Sequence, residues 1–335
     1  MKKRIAINGF GRIGRLAYKE LLNDENLEVV AINDLTSPED LAYLIKYDSI
    51  HGRLDEEVRV EDNYLICGSN KTQIFAIKDA KELPWKELAI DLVLECTGVY
   101  TKLEDAKSHI EAGAKHVLIS APGKGDMKTI VYGVNNDILD GDEKVVSAAS
   151  CTTNCLAPVL KVLNDGYGIL SGFMTTVHAY TNDQVNLDVQ HKKGYMTRRG
   201  RACALNIIPS STGAANAIGK VIPELNGKLS GSALRVPVGD GSLIDLTLRL
   251  QKKVTKEEIN ALFDAKKSDV LSVIEDPIVS SDIVGSHYGA LVDGLLTEVL
   301  ESEDGDLVKV VAWYDNELSY TVQMIRTMKY FLNLN

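Results

Sequence analysis

The 335-residue sequence has few aromatic residues and no long apolar run. Phe, Trp and Tyr together make up 6% of it, and no stretch approaches the roughly 18 consecutive apolar residues of a membrane helix. The basic start MKKRIAINGFGRIGR passes directly into polar sequence, so no signal region is expected. The sequence therefore predicts a cytoplasmic protein without a membrane partner.

The sequence has fewer basic than acidic residues, and its cysteines do not form a closely spaced framework. The net charge of −10 opposes attraction to a polyphosphate backbone, so nucleic acid is not expected as a primary partner. The five cysteines are an odd number and form no CxxC pair or Cys/His cluster with zinc spacing. Free thiols and no metal site are predicted.

A Pro/Gly/Ser-rich linker is absent, although the length suffices for about two domains. Up to residue 150, β-branched runs alternate with amphipathic stretches, which is typical of βαβ units; the pattern changes after residue 151. We expect an α/β fold with a doubly wound parallel sheet domain over 1–150. An α+β catalytic domain with a mostly antiparallel sheet should cover 151–315.

Hydrophobic periodicity places the main elements. Alternation in Ser242 to Leu250 predicts a half-buried antiparallel strand, and Leu318 to Leu332 repeat apolar residues at helical spacing. This terminal helix should complete the first domain with residues 316–335. The strands predicted for the first domain are Arg4 to Asn8, Glu28 to Asn33, Asp91 to Cys96, His116 to Ser120, Thr129 to Val134 and Lys144 to Ser147.

Gly9, Gly11 and Gly14 form a GxGxxG sequence directly after an apolar strand and at the start of a helical pattern. This context is typical of a Rossmann-type dinucleotide site, in which a helix N-terminus meets the pyrophosphate. Asp34, twenty residues past Gly14, can accept hydrogen bonds from ribose hydroxyls and would repel a 2′-phosphate, which favours NAD over NADP. Thr97 and Ser120 either contact the cofactor or cap turns.

Cys151 follows a strand and opens an apolar helical pattern, where the helix dipole favours a thiolate. Cys155 lies one turn further in and should pack as a small hydrophobe. Pro158 predicts a kink or an irregular first turn. Of six histidines, His178 alone ends an apolar strand-like run in a polar segment, which makes it a candidate base; a structural role remains open.

Six segments resemble, in order, the phosphorylating glyceraldehyde-3-phosphate dehydrogenases of the glycolytic, bacterial type. They are INGFGRIGR, SAASCTTNCLAP, HAYTNDQ, STGAANAIGKVIPELNGKL, LRVPV and AWYDNE. The resemblance implies that Cys151 attacks an aldehyde to form a hemithioacetal, with His178 as base. Hydride transfer to NAD then leaves a thioester, which inorganic phosphate cleaves to an acyl phosphate. It also implies a homotetramer.

The resemblance implies further site residues. Thr181 and Arg235 would bind the phosphate of the substrate, a small phosphorylated aldehyde. The attacking inorganic phosphate would be surrounded by Ser150, Thr152, Arg199, Thr212 and Gly213. The implied cofactor contacts are Arg12, Ile13, Lys78, Ser120 and Asn316.

The sequence departs from the family pattern at several places. Asn216 replaces a usual lysine, and Val189-Gln190 replace a Leu-Pro pair that often accompanies strict NAD use. The segment between His178 and Arg199 is longer than usual, which affects the register of Arg199. Rival interpretations are an erythrose-4-phosphate dehydrogenase, a semialdehyde dehydrogenase, or a non-catalytic binding or adhesion protein. Thr181, the Ser211–Ala214 run and the retained Cys151 and His178 favour the glycolytic activity.

Overall fold

A computed structural model describes residues 2–303 and 305–334. Met1, Asp304 and Asn335 lie outside the described residues, and with them the outermost residues of the expected ranges 1–150 and 316–335. The chain divides into two compact units. Unit 1 comprises Met1–Ile130, Asn136–Ala149 and Met324–Asn335, and unit 2 comprises Val131–Asn135 and Ser150–Gln323.

Unit 1 contains one sheet, whose strands are β1 Lys3–Asn8, β2 Leu27–Asn33, β3 Val58–Glu61, β4 Tyr64–Cys67, β5 Asn70–Phe75, β6 Leu92–Glu95, β7 His116–Ile119 and β8 Val145–Ser147. Their order in the sheet is β3-β4-β5-β2-β1-β6-β7-β8. The neighbours in the run β5-β2-β1-β6-β7-β8 are parallel, and the hairpin β3-β4 pairs antiparallel at one edge. The helices are α1 Arg12–Leu21, α2 Pro38–Lys46 and α3 Leu103–Glu111.

Unit 2 contains a second sheet and helices, with the elements α4 Cys151–Tyr167, β9 Ile169–Ala179, β10 Ile208–Ser211, α5 Ala214–Val221, β11 Leu229–Val236, β12 Ser242–Leu250, α6 Lys256–Ala265, β13 Leu271–Ile274, β14 Ala290–Asp293, β15 Glu298–Leu300 and β16 Leu307–Tyr314. The strand order is β10-β11-β9-β12-β16-β14-β13, with β15 paired to β16. Most neighbours are antiparallel; β11-β9 and β13-β14 are parallel. The predicted α/β class and the antiparallel strand β12 are confirmed.

Short 3-10 helices and a long terminal helix complete the chain. The 3-10 helices are Ala80–Glu82, Asn136–Ile138, Tyr195–Thr197, Pro223–Leu225, Ser280–Ile283 and Gly294–Leu296. The terminal helix α7, Leu318–Asn333, buries the predicted apolar stripe, and its second half belongs to unit 1. There Phe331 packs edge-on against His116, with ring centroids 4.7 Å apart. Among the described helices, none is long and apolar enough to cross a membrane.

One predicted strand is wrong. Thr129 forms only an isolated bridge with Ser147, and the chain then turns. Gly133 has a φ of 76°, a left-handed conformation that breaks an extended run, and the side chain of Asn135 accepts from the Val131 amide at 2.8 Å. Pro158 lies inside α4, and the helix is continuous from Cys151 to Tyr167. Its first turn is therefore helical, unlike the irregular first turn that the proline led us to expect.

Candidate functional site

The turn after β1 in unit 1 depends on two glycines. Gly9 has a φ of 92°, and a Cβ there would lie 2.7 Å from the backbone nitrogen of Thr97. A Cβ on Gly14 would lie 2.2 Å from the carbonyl oxygen of Gly9, so only glycine lets α1 start this close to β1. Gly11 caps α1, and a Cβ there would meet no atom within 4 Å. The helix N-terminus therefore faces open space that suits a pyrophosphate.

Asp34 follows β2 and joins this turn to the neighbouring strand. Its carboxylate accepts hydrogen bonds from the Phe10 amide at 2.7 Å and from the Thr36 amide at 2.9 Å. The remaining lone pairs of the half-buried carboxylate can accept hydroxyl donors, as the prediction of an NAD ribose contact requires.

Arg12 and Ile13 are the first two residues of α1. The Arg12 guanidinium pairs with Asp48 at 2.8 Å and lies 3.2 Å from Nδ1 of His51. Burial raises the pKa of Asp48, but the amides of His51 and Ile50 and the Arg12 guanidinium outweigh it and hold that pKa at about 2. The contribution of Arg12 and Ile13 to an anion site therefore lies foremost in their backbone N–H groups.

Three other predicted cofactor residues follow parallel strands of the same sheet. Lys78 is exposed in the segment after β5, Thr97 is exposed after β6, and Ser120 is half-buried after β7. Thr97 also caps its own turn, because its hydroxyl oxygen accepts from the Val99 amide at 3.0 Å. Unit 1 thus brings the predicted cofactor residues to the carboxyl edge of its sheet, where doubly wound folds bind ligands.

In unit 2, Cys151 is the first residue of α4, and His178 is the penultimate residue of β9. Ser150 caps the helix by accepting from the Thr153 amide at 3.2 Å. The Sγ of Cys151 lies 3.4 Å from Nε2 of His178, and His178 is 3% exposed. The thiol and the imidazole are thus within reach for proton transfer.

The surroundings of His178 select its tautomer. Nδ1 lies 2.7 Å from the Ala179 carbonyl oxygen and 3.0 Å from Nη1 of Arg235. Because Arg235 has other acceptors in the Ala179 carbonyl at 2.9 Å and the Thr181 hydroxyl at 3.1 Å, we assign the Nδ1 proton to the Ala179 bond. Nε2 then presents its lone pair to Cys151, as a general base must.

Electrostatics keep each partner neutral on its own. Burial raises the pKa of the Cys151 thiol, although Arg235 and the first amides of α4 act in the opposite direction. Burial and the charge of Arg235 lower the pKa of His178 to about 3. The predicted effect of the helix N-terminus on the thiol pKa is therefore present but smaller than that of burial.

Arg235, Thr181 and Arg199 lie around one carboxylate. The Thr181 hydroxyl accepts from Arg235 and donates to Asp183 at 2.6 Å, and the Asp183 carboxylate pairs with Arg199. Burial raises the pKa of Asp183, but Thr181 and Arg199 outweigh it and leave that pKa below its usual value. Sequence reasoning named the two arginines and Thr181 but missed Asp183, whose only signal is its place in the HAYTNDQ segment.

The other predicted phosphate residues lie at two helix starts. Thr152, in the first turn of α4, is buried and lies 3.0 Å from the Tyr314 hydroxyl, which also lies 2.9 Å from Thr176. Thr212 accepts from the Ala214 amide at 3.2 Å, and Gly213 caps α5 with no atom within 4 Å of a built Cβ. Tyr314 was missed because only tertiary contacts relate it to Thr152.

Asn316 lies in unit 2 between β16 and α7. Its side-chain oxygen accepts from the Ser242 hydroxyl at 2.6 Å, and its backbone N–H donates to the Asp240 carboxylate at 3.2 Å. The buried side chain is thus oriented with its amino group left to donate, which suits the carbonyl of a carboxamide.

Ala149 also escaped sequence reasoning. It has a φ of 59°, a left-handed conformation that costs about 1 kcal/mol or more for a residue with a Cβ. Its amide donates to the Ser147 hydroxyl at 3.1 Å. Ala149 lies two positions before Cys151. An alanine gives no sequence signal for a left-handed backbone, so the strain could not be predicted.

Comparison with known proteins identifies the family. The C-terminal domain of glyceraldehyde 3-phosphate dehydrogenase matches residues 150–316, and the NAD-binding domain of the same family matches residues 3–103. Glyceraldehyde-3-phosphate dehydrogenases from Clostridium acetobutylicum and Clostridium pasteurianum are each 56% identical over 331 residues, 99% of both chains. That of Streptococcus pyogenes serotype M1 is 52% identical over 335 residues, covering 100% of this chain and 99% of its own.

These matches confirm the NAD-binding first domain and the class of NAD-dependent aldehyde oxidoreductase that the sequence predicted. This chain belongs to the glyceraldehyde-3-phosphate dehydrogenase family.

Proposed function

We propose that the protein oxidises D-glyceraldehyde 3-phosphate with NAD and inorganic phosphate to 1,3-bisphosphoglycerate in glycolysis. Cys151 is the nucleophile and His178 the general base. The observation that carries this proposal is the 3.4 Å approach of Sγ to Nε2 at the N-terminus of α4, in a chain of this family. A serine at the same place would be a poorer nucleophile and a poorer leaving group.

The proposed chemistry has two halves: oxidation of the aldehyde to a thioester on Cys151, and transfer of that acyl group to inorganic phosphate. Nε2 of His178 accepts the thiol proton as Sγ attacks the aldehyde carbon, and the protonated imidazole returns it to the aldehyde oxygen. The resulting hemithioacetal hydroxyl then gives its proton to Nε2 while hydride leaves the carbon, which produces the thioester. Bound NAD supplies the hydride acceptor. Inorganic phosphate attacks the thioester carbon, and the Cys151 thiolate leaves and is reprotonated.

Most of the residues proposed to hold NAD lie at the carboxyl edge of the first sheet, and Asn316 is proposed from the family resemblance alone. The open cradle at Gly11 fits a pyrophosphate, and Asp34 fits the ribose hydroxyls. The full proposed set is Gly9, Gly11, Arg12, Ile13, Gly14, Asp34, Lys78, Thr97, Ser120 and Asn316.

Two groups of residues in unit 2 are proposed to bind phosphate. Thr181 and Arg235 would hold the substrate phosphate, since their hydrogen bond aligns a hydroxyl with a guanidinium. Arg199 would bind the attacking phosphate either by breaking its ion pair with Asp183 or by contacting both groups. The other residues of this second group are Ser150, Thr152, Thr212 and Gly213, which supply hydroxyls and helix N-termini.

The proposal also covers the oligomeric state, the cellular compartment and the roles of the two domains. We propose a cytoplasmic homotetramer, with residues 1–150 and 316–335 as the NAD domain and 151–315 as the catalytic and oligomerisation domain. The long segment between His178 and Arg199 would lie between subunits. Light scattering of the purified chain tests the tetramer: a monomer in solution would contradict it.

The activity is tested by following NAD reduction with glyceraldehyde 3-phosphate, with and without inorganic phosphate. Erythrose 4-phosphate serves as the competing substrate, and Cys151→Ser as the nucleophile variant. Phosphate-dependent turnover that favours the triose and disappears in the variant supports the proposal. Preference for the tetrose would assign the chain to the rival dehydrogenase, and no turnover with either would favour a non-catalytic binding protein.

A further inference from the structure

Three buried polar side chains stand side by side at the carboxyl edge of the first sheet. Asn8, Asn33 and Glu95 are the last residues of β1, β2 and β6, which are neighbours in the sheet. Asn8 pairs in register with both Asn33 and Glu95. The three residues are 2%, 6% and 1% exposed. Polar groups buried this deeply cost free energy unless they are hydrogen-bonded, so their partners define their role.

Hydrogen bonds of fixed direction connect these side chains. Asn33 Nδ2 donates to Asn8 Oδ1 at 2.8 Å, and Asn8 Nδ2 donates to Glu95 Oε2 at 2.6 Å. Nε2 of His109 lies 3.0 Å from the same Glu95 oxygen. Trp85 Nε1, which can only donate, lies 3.0 Å from Nδ1 of His109. Nε2 of His109 therefore carries the ring proton and donates it to Glu95.

The side chains at the two ends of this arrangement, Asn33 and Glu95, form hydrogen bonds to the backbone of neighbouring loops. Asn33 clamps Ile77 from both sides: its Oδ1 accepts from the Ile77 amide at 2.9 Å, and its Nδ2 donates to the Ile77 carbonyl at 2.9 Å. Glu95 Oε1 accepts from the Thr97 amide at 2.8 Å and from the Thr97 hydroxyl. The segment after β5 and the turn after β6 are thus joined through buried side chains.

Each of these anchor points lies one or two residues before a residue assigned above to the cofactor site. The pairs are Asn8 and Gly9, Asn33 and Asp34, Ile77 and Lys78, and Glu95 and Thr97. We propose that Asn8, Asn33, Glu95 and His109, the buried polar row, are positioning residues that fix four cofactor-binding turns relative to one another. This inference rests on the proposed function. NAD affinity then depends on side chains that do not touch NAD.

The row also determines what Thr97 can do. Its hydroxyl proton is donated to Glu95, and one lone pair already accepts from the Val99 amide. Thr97 can therefore offer only its second lone pair, which suits an amide or hydroxyl donor of the cofactor and not a phosphate oxygen.

Near-isosteric substitutions test the row. Both oxygens of Glu95 accept two donors, so the amino group of Glu95→Gln must face donors whichever way it is turned. His109→Leu removes the donor to Glu95, whereas His109→Gln can restore it. Tyr18→Phe is the matched control, because it deletes a buried hydrogen bond to Thr72, 3.1 Å long, that lies elsewhere in unit 1.

Calorimetric titration of the full chain with NAD, alongside steady-state kinetics and thermal unfolding, provides the readout. We expect Glu95→Gln and His109→Leu to raise the Kd and KM for NAD by about tenfold or more, with the KM for the aldehyde unchanged. His109→Gln should restore most of the affinity. Tyr18→Phe should lower the melting temperature and keep the wild-type Kd for NAD.

Unchanged NAD affinity in folded Glu95→Gln and His109→Leu would overturn the inference. An equal loss of affinity in Tyr18→Phe would overturn it as well, because general loosening of unit 1 would then explain the effect. Should Glu95→Gln fail to fold, the His109 pair decides alone. A wild-type protein that binds no NAD would overturn the proposed cofactor site together with this inference, whereas normal wild-type binding with unaffected variants overturns the inference alone.

Discussion

The Sγ of Cys151 and Nε2 of His178 lie 3.4 Å apart although the residues are 27 positions apart in the chain. The first residue of α4 and the penultimate residue of β9 meet because β9 runs back from the C-terminus of α4 after a single glycine, Gly168. The tautomer set by Ala179 points a lone pair at the thiol. In the proposed reaction, this pair turns a half-buried cysteine into a nucleophile.

Replacement of His178 by asparagine tests its role as base. The variant keeps a polar side chain but no imidazole, so the thiol proton has no acceptor of suitable basicity. We expect kcat to fall by about 10²- to 10⁴-fold, the usual contribution of general base catalysis. His116→Asn is the control, because His116 is also buried, but its ring bonds to the Glu143 carbonyl and packs on Phe331. A loss of less than about tenfold in His178→Asn would argue against the base.

Removal of the Arg235 guanidinium should affect phosphate recognition more than chemistry. In Arg235→Leu, Thr181 loses its charged partner, so the KM for glyceraldehyde 3-phosphate should rise by about 10- to 100-fold. The KM for unphosphorylated glyceraldehyde should stay close to that of the wild type. Arg59→Gln, which alters an exposed ion pair with Glu61 in unit 1, is the control. An equal rise for both aldehydes would remove Arg235 from the phosphate site.

Two alanine substitutions in the glycine turn should separate folding from cofactor binding. In Gly14→Ala the new Cβ would meet the Gly9 carbonyl, so the free energy of unfolding should fall by about 1–3 kcal/mol. In Gly11→Ala the Cβ meets no protein atom, so the melting temperature should not change, yet NAD should bind about tenfold more weakly. Thermal unfolding and NAD titration measure both. Unaltered NAD binding in folded Gly11→Ala would place the pyrophosphate elsewhere.

The amides of His51 and Ile50, together with Arg12, should make the fold of unit 1 sensitive to acid through Asp48. The pKa of Asp48 is about 2, below the value near 4 of an unfolded aspartate, so the unfolded chain binds the proton first as the pH falls. The stabilisation is therefore complete above pH ~4 and lost towards pH ~2. The carboxylate is 3% exposed, so Asp48→Asn should lower the free energy of unfolding at pH 7 by about 2 kcal/mol.

Denaturant unfolding at several pH values checks this expectation. The difference between wild type and Asp48→Asn should shrink as the pH falls below about 4. Asp142→Asn, at an exposed position of unit 1, should show no such difference at any pH. A constant difference across the acid range would show that Asp48 stabilises the fold by packing rather than by its charge.

The sequence by itself determined the features that depend on local periodicity and backbone chemistry. Strand β12 was predicted from Ser242 to Leu250 because alternate residues face a core, and α7 from apolar residues at helical spacing. The glycine turn was predicted because the tight turn between β1 and α1 requires glycine at positions 9 and 14, where a Cβ would collide with backbone atoms. The family was recognisable because its motifs are short and contiguous.

Tertiary structure decided the partners of the functional side chains. Among six histidines, only the packing of β9 near α4 identifies the one beside Cys151, and only the fold brings Asp183 to Arg199 and Tyr314 to Thr152. The sequence does not state which strands are neighbours, so it could not reveal that Asn8 donates to Glu95 from 87 residues away. Hydrogen bonds between distant residues depend on strand order and register, and those follow from burying both faces of a sheet at once.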